Sequence, residues 1–223
     1  MLILGIDDAG RGPVIGPMVL AGCLVSDKVE KELKKLGVKD SKELTQKRRE
    51  VLEQAIKEKA ETFEVIIVPP TEIDFQNGEG TNLNQLEAIA CAKIINRINK
   101  GFDKIKVIID CPSVSIIKWQ DFLKTKILNL SNLEIVCEHK ADRNHVSVSA
   151  ASILAKCVRE KEMEKLKIMY GTEMGSGYTS DPKTKQFLEK YIVKHNDSGI
   201  FRKTWNTWKR ANTGTSQKKL RDF

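Results

Sequence analysis

The sequence predicts an α/β protein, a mixed sheet flanked by helices with a small helical domain at the C-terminal end. Three observations carry this. Two apolar, β-branched runs open the chain on either side of a glycine-rich turn. Later apolar runs alternate with segments of helical periodicity. Strand-like runs stop near 171–182, where an excess of basic charge begins.

Taken in order, LILGIDDAG (2–10) and VIGPMVLAGCLVS (14–26) read as two adjacent strands, antiparallel across the GRGP turn. Residues 28–37 and 45–61 carry apolar side chains at helical spacing, Val51, Leu52, Ala55 and Ile56 among them, with Thr45 as a plain N-cap. FEVIIVPP (63–70) is a third strand, closed by prolines. In residues 82–98, Leu83, Leu86, Ile89, Ala90, Ile94 and Ile98 share one helical face. KIKVIID (104–110) and NLEIVCEH (132–139) are strands, with a helix over 115–128 between them. A long helix of small and apolar residues spans 145–170 and stops at Gly171. After the turn-rich GSGYTSDP, helices are expected at 183–195 and around 202–210, and TGTSQ reads as a flexible linker. The expected division is an α/β domain over 1–175, a basic helical domain over 176–212 and a tail over 213–223.

The chain has 223 residues, 40% of them hydrophobic and 30% charged, a globular mix long enough for one sizeable core. No apolar run approaches the ~20 residues that span a bilayer. Five scattered cysteines, with no C-x-x-C pair, read as reduced core thiols rather than a zinc site or disulfide frame. With no basic leader before the first strand, a cytoplasmic protein is expected. The net charge of +8 is unevenly placed. Residues 183–223 hold 11 Lys and Arg against 3 acids, which leaves 27 of each sign in residues 1–182. Such asymmetry suits a polyanionic partner met by the C-terminal segment, and equally a solvated surface.

Acidic residues end the strands. Asp7 and Asp8 close the first, Asp110 closes KIKVIID, and Asp142 lies just beyond NLEIVCEH. Strand ends of an α/β sheet open onto ligand crevices, and adjacent carboxylates repel unless a cation neutralises them. Mg²⁺ takes such oxygens, and two ions can serve both sides of a phosphodiester displacement. Singly, each Asp also suits a turn or a helix cap. Gly10-Arg11-Gly12 follows at once. Glycines let a backbone approach a ligand, and backbone groups there suit a sugar 2′-hydroxyl, with Arg11 near a phosphate. A tight hairpin turn accounts for the same glycines.

At GIDDAGRG the chain resembles the type 2 ribonucleases H (ribonuclease HII) in their archaeal form. DSKEL (40–44), NLNQLEAIA (82–90), IIDCPS (108–113), KADRNHVSVSAASILAK (140–156) and GSGYTSDPKT (175–184) extend the resemblance over nearly the whole chain, in the family's order and spacing. It implies an RNase H-like core and metal-dependent endonucleolytic cleavage of RNA in RNA–DNA hybrids. It also implies incision at ribonucleotides embedded in duplex DNA, giving 3′-hydroxyl and 5′-phosphate ends. It places metal-binding, catalytic acids at Asp7, Asp8, Asp110 and Asp142, with Mg²⁺ or Mn²⁺ in a two-metal site. It places substrate contacts at Gly10, Arg11, Gly12, Lys42 and Tyr178. The family's second acid is usually Glu, so Asp8 is a departure, expected to alter rate or metal preference.

The last residues, Gln217 to Phe223, have the form Q-x-x-L-x-x-F. This resembles the sliding-clamp-binding peptide, with Gln217, Leu220 and Phe223 as its contacts and one aromatic where two are usual. A basic terminal tail is the plainer account. Two other readings stay open: a non-catalytic hybrid-binding adaptor, and a junction resolvase of the same fold.

Overall fold

The computed structural model describes the backbone of residues 1–221 and the side chains of residues 1–213. Five strands form one sheet: β1 (Leu2–Ala9), β2 (Met18–Ser26), β3 (Thr62–Val68), β4 (Ile105–Asp110) and β5 (Leu133–Glu138), in the order β3-β2-β1-β4-β5. β2 runs antiparallel to β1, with Asp7 opposite Ala21. β4 runs parallel to β1 and β5 parallel to β4, so the sheet is mixed, as expected.

The helices are α1 (Asp27–Lys35), α2 (Gln46–Lys59), α3 (Pro70–Gly78), α4 (Leu83–Ile98), α5 (Ile116–Lys124), α6 (Ala141–Asn144), α7 (Val146–Tyr170), α8 (Pro182–Tyr191) and α9 (Asn206–Arg221). Thr45 caps α2 by accepting from the Arg48 amide at 3.3 Å. Asn82 and Gln85 form a capping box on α4. The expected helix around 202–210 starts only at Asn206 and runs on through TGTSQ, where a linker is expected. A lone glycine costs a helix interior about 1 kcal/mol, too little to force a stop.

Two compact units emerge. One comprises 1–9, 19–67 and 82–158; the other comprises 10–18, 68–81 and 159–223. In the first, α7 presents Val148, Ala150, Ala151, Ile153, Leu154 and Ala155, all fully buried, among Val19, Ala21, Cys23 and Val25 of β2. Small residues are needed there. A Cβ on Gly5 would lie 2.2 Å from the Ser147 carbonyl carbon, so strand and helix backbones touch. The core of the second unit gathers Val14, Ile15, Met163, Met174, Phe187, Leu188, Ile200 and Phe201. All five cysteines are free and buried, and burial pushes the Cys23 thiol up to about 12. Among the described residues, no helix is long and apolar enough to cross a membrane.

Candidate active site

β1 alternates. Gly5 and Asp7 face α7, while Leu4, Ile6 and Asp8 face the other side of the sheet. Asp7 is buried, with Ser152 of α7 among the groups that act on its carboxylate. Asp110 ends β4, the parallel neighbour of β1, and accepts from the Ala141 amide at 3.3 Å. Asp142 lies inside α6 and is 2% exposed. It therefore does not cap the long helix, the ordinary role open to it in the sequence. Lys140, at φ +59°, turns the chain into α6 so that Asp142 points inward.

One carboxylate oxygen from each of Asp7, Asp110 and Asp142 lies within 4.8 Å of the others. Opposed ligands of Mg²⁺ stand about 4.2 Å apart, and those of larger cations further, so the trio needs little adjustment to hold a hard divalent ion. The electrostatics agree. Burial and then the charge of Asp8 hold the Asp7 carboxyl well above its ordinary range, against the Ser152 hydrogen bond. Burial and then Asp142 raise Asp110. Asp142 Oδ1 is buried with no hydrogen-bond partner among the described residues. The donor set fits the divalent metal that the sequence implies.

Asp8 lies outside the trio. Strand alternation sends it toward the cleft lined by Glu87, Cys91, Pro112 and Trp119, which Asp7 and Asp110 also border. A glutamate there would reach one bond further.

Lys42 stands beside the trio, its ammonium 3.4 Å from Asp142 and its side chain 66% exposed. Burial pulls its pKa down, but Asp142 and Asp40 outweigh that and hold it above its ordinary value. Asp40 anchors this segment by accepting from the Lys42 amide at 3.0 Å and from Arg143 Nε at 3.2 Å. Behind Asp7, Ser152 meets the Ser41 hydroxyl at 2.7 Å, and Lys156 donates to Ser41. Asp40, Ser41, Ser152 and Lys156 were not singled out by sequence reasoning. Their one signal is that they fall inside DSKEL and the 140–156 block.

In the second unit, Gly10 takes φ +80°, and a Cβ there would lie 2.2 Å from Arg159 Nε and 2.8 Å from the Pro17 carbonyl, so only glycine fits. Gly12 is exposed, its would-be Cβ 4.0 Å from the Tyr178 ring. The Arg159 guanidinium lies 5.0 Å from the centre of that ring. The turn carrying Tyr178 is held by Asp181, which accepts from the Ser176 amide at 2.7 Å and its hydroxyl at 2.8 Å. Arg11 is half-buried. Gln217, Leu220 and Phe223 lie outside the residues whose side chains the structure describes.

The ribonuclease HII family profile matches residues 4–208. A ribonuclease HII of Methanococcus maripaludis is 46% identical over 211 residues, covering 93% of this chain and 86% of that protein. Among solved structures, the ribonuclease H2 of Pyrococcus horikoshii superposes with a TM-score of 0.83 at 38% identity, over 95% of this chain and 97% of the other. The ribonuclease HII of Archaeoglobus fulgidus, solved in complex with PCNA, gives 0.80 at 38% identity, over 92% and 96%. Sequence, fold and acid cluster converge: the chain belongs to the ribonuclease HII family and is a metal-dependent endonuclease of RNA–DNA hybrids.

Proposed function

We propose that this enzyme also incises duplex DNA at single embedded ribonucleotides, leaving 3′-hydroxyl and 5′-phosphate ends. The supporting observation is the Gly10–Gly12 turn beside Tyr178, a glycine backbone next to an aromatic ring that is 39% exposed. Such a surface suits a ribose, whose 2′-hydroxyl both donates and accepts. Asp7, Asp110 and Asp142 would hold the cation through their carboxylate oxygens, and Asp8 would join through a bridging water. When bound, a pair of Mg²⁺ or Mn²⁺ ions supplies a nucleophilic water and stabilises the leaving oxygen. Lys42 carries its charge to a substrate phosphate. The exposed Lys183, Lys185, Lys190, Lys194, Lys209 and Arg210 contribute sequence-independent affinity for the duplex backbone.

The test is a labelled duplex carrying one ribonucleotide, incubated with and without Mg²⁺. A metal-dependent single cut at the ribonucleotide is expected. Binding without a cut would favour an adaptor, and equal cutting of an all-DNA four-way junction would favour a resolvase.

A sliding clamp is proposed as partner through Gln217, Leu220 and Phe223, supported by the terminal Q-x-x-L-x-x-F pattern and by the A. fulgidus relative's complex with PCNA. Leu220 and Phe223 are three residues apart, a spacing that shares one helical face. Titration of a 212–223 peptide with the host clamp should saturate by about tens of micromolar, and no binding there removes the claim.

A further inference from the structure

Arg202 is fully buried, although by sequence it counts among the C-terminal cations. Its Nη2 donates to the Gly10 carbonyl at 2.6 Å and to the Gly16 carbonyl at 3.0 Å. Nη1 donates to the Arg11 carbonyl at 2.6 Å, and Nε to Gly16 at 3.0 Å. Trp205 lies against the same guanidinium, 5.1 Å from ring centre to Cζ, and its Nε1 donates to the Gly12 carbonyl at 3.2 Å. The carbonyls of Gly10, Arg11 and Gly12 are thus all drawn toward one pair of side chains.

That pair is itself fixed. The Arg202 amide donates to the Val14 carbonyl at 2.9 Å, and the Gly16 amide to the Ile200 carbonyl at 2.9 Å. Asp74 accepts from the Lys203 amide at 2.7 Å and from the Thr204 amide at 3.0 Å. A desolvated guanidinium is tolerated only where oxygen acceptors answer it, and its planar fork fixes their directions.

Peptide geometry turns this into an orientation. Among the described residues every peptide bond is trans, so each N–H of the turn points opposite the preceding carbonyl. Carbonyls 10 and 11 face Arg202, and the amides of Arg11 and Gly12 therefore point away from it. Residue 13 is proline, without an N–H, so the row of donors ends there. We infer that Arg202, with Trp205, is a positioning residue that aims the Arg11 and Gly12 amides, beside Tyr178, at a ribose oxygen of the substrate. This rests on the ribose-reading role proposed above for the turn.

The test is equilibrium binding, without divalent ions, of two duplexes that differ only in one ribonucleotide against its deoxy counterpart. Wild type should prefer the ribonucleotide. Arg202→Lys keeps the charge but loses the fork, and should cut that preference about tenfold while leaving all-DNA affinity in place. Calorimetric Mn²⁺ affinity should not change, because the acids belong to the other unit. An Arg202→Lys protein that retains the preference overturns the inference, and so does a parallel loss of Mn²⁺ affinity. If that variant does not fold, Trp205→Phe decides: about a threefold loss of preference is expected from one missing hydrogen bond, and an unchanged ratio overturns the inference. Wild type without any preference overturns the reading of the turn as well.

Discussion

In the first unit, three carboxylates converge within 4.8 Å, and burial, followed by the charge of Asp8 on Asp7 and of Asp142 on Asp110, raises the pKa of two of them. In the second, three successive carbonyls converge on a guanidinium and an indole at 2.6–3.2 Å. The acids are a strained arrangement that a cation relieves. The turn is a satisfied arrangement before any ligand arrives. The difference separates the acid cluster from the turn proposed to read the sugar, and each responds to a different perturbation.

The largest expected effect strikes the strained side. Asp7→Asn or Asp110→Asn should lower hybrid cleavage roughly a thousandfold, measured as kcat with saturating Mg²⁺. Activity within about tenfold of wild type would mean that the cluster does not carry the chemistry. EDTA should abolish wild-type activity in the same assay.

The second expected effect has an unusual sign. A carboxyl raised in the folded state contributes stability below its unfolded pKa of about 4. That stability is lost as pH rises through the folded value. Without metal, then, the native cluster opposes folding at neutral pH. Asp7→Asn should raise the melting temperature in EDTA at pH 7–8 by roughly 2–4 °C, and the gain should shrink as the pH falls into the acid range. Added Mg²⁺ should raise wild type by mass action and the variant less. A variant less stable than wild type in EDTA at pH 8 would contradict the repulsion.

Asp8 offers a smaller test. Asp8→Glu should raise the hybrid-cleavage rate several-fold and change the ratio of Mg²⁺- to Mn²⁺-supported rates, since about one bond length decides reach at a metal site. Equal rates with both ions would show that the shorter side chain costs nothing. The smallest effect belongs to the exposed cations of α8. Lys183→Gln with Lys185→Gln should weaken substrate binding and flatten the log–log salt dependence by up to about 0.9 per lost phosphate contact, with the single-turnover rate at saturation unchanged.

Much of the first unit was legible in sequence because its signals are local. The apolar runs of β1, β4 and β5 each end at an acid, and α7 announces itself by small residues. Asp7, Asp110 and Asp142 followed from the strand ends and the family blocks. What was hidden depends on distance or on subtle local geometry. α3 begins at Pro70 and has little apolar patterning, so the residues after FEVIIVPP carry no helical signal in the sequence. α6 is a four-residue turn set by the left-handed Lys140, which no periodicity reveals. Arg202 looked like a surface cation, because the carbonyls it serves lie 186–192 residues away. Asp8 was grouped with Asp7 as a doublet, whereas a strand sends neighbours to opposite faces.

The contact between Gly5 and Ser147 bears on how firmly the acids are set. Elsewhere in a core, side chains between two backbones act as a soft spacer that absorbs heat, pressure or a neighbouring substitution. Here the spacer is missing, and the strand bearing Asp7 rests directly on the helix bearing Ser152. The joint has no slack to give, so the alignment of carboxylate and hydroxyl should drift little while looser parts of the molecule expand.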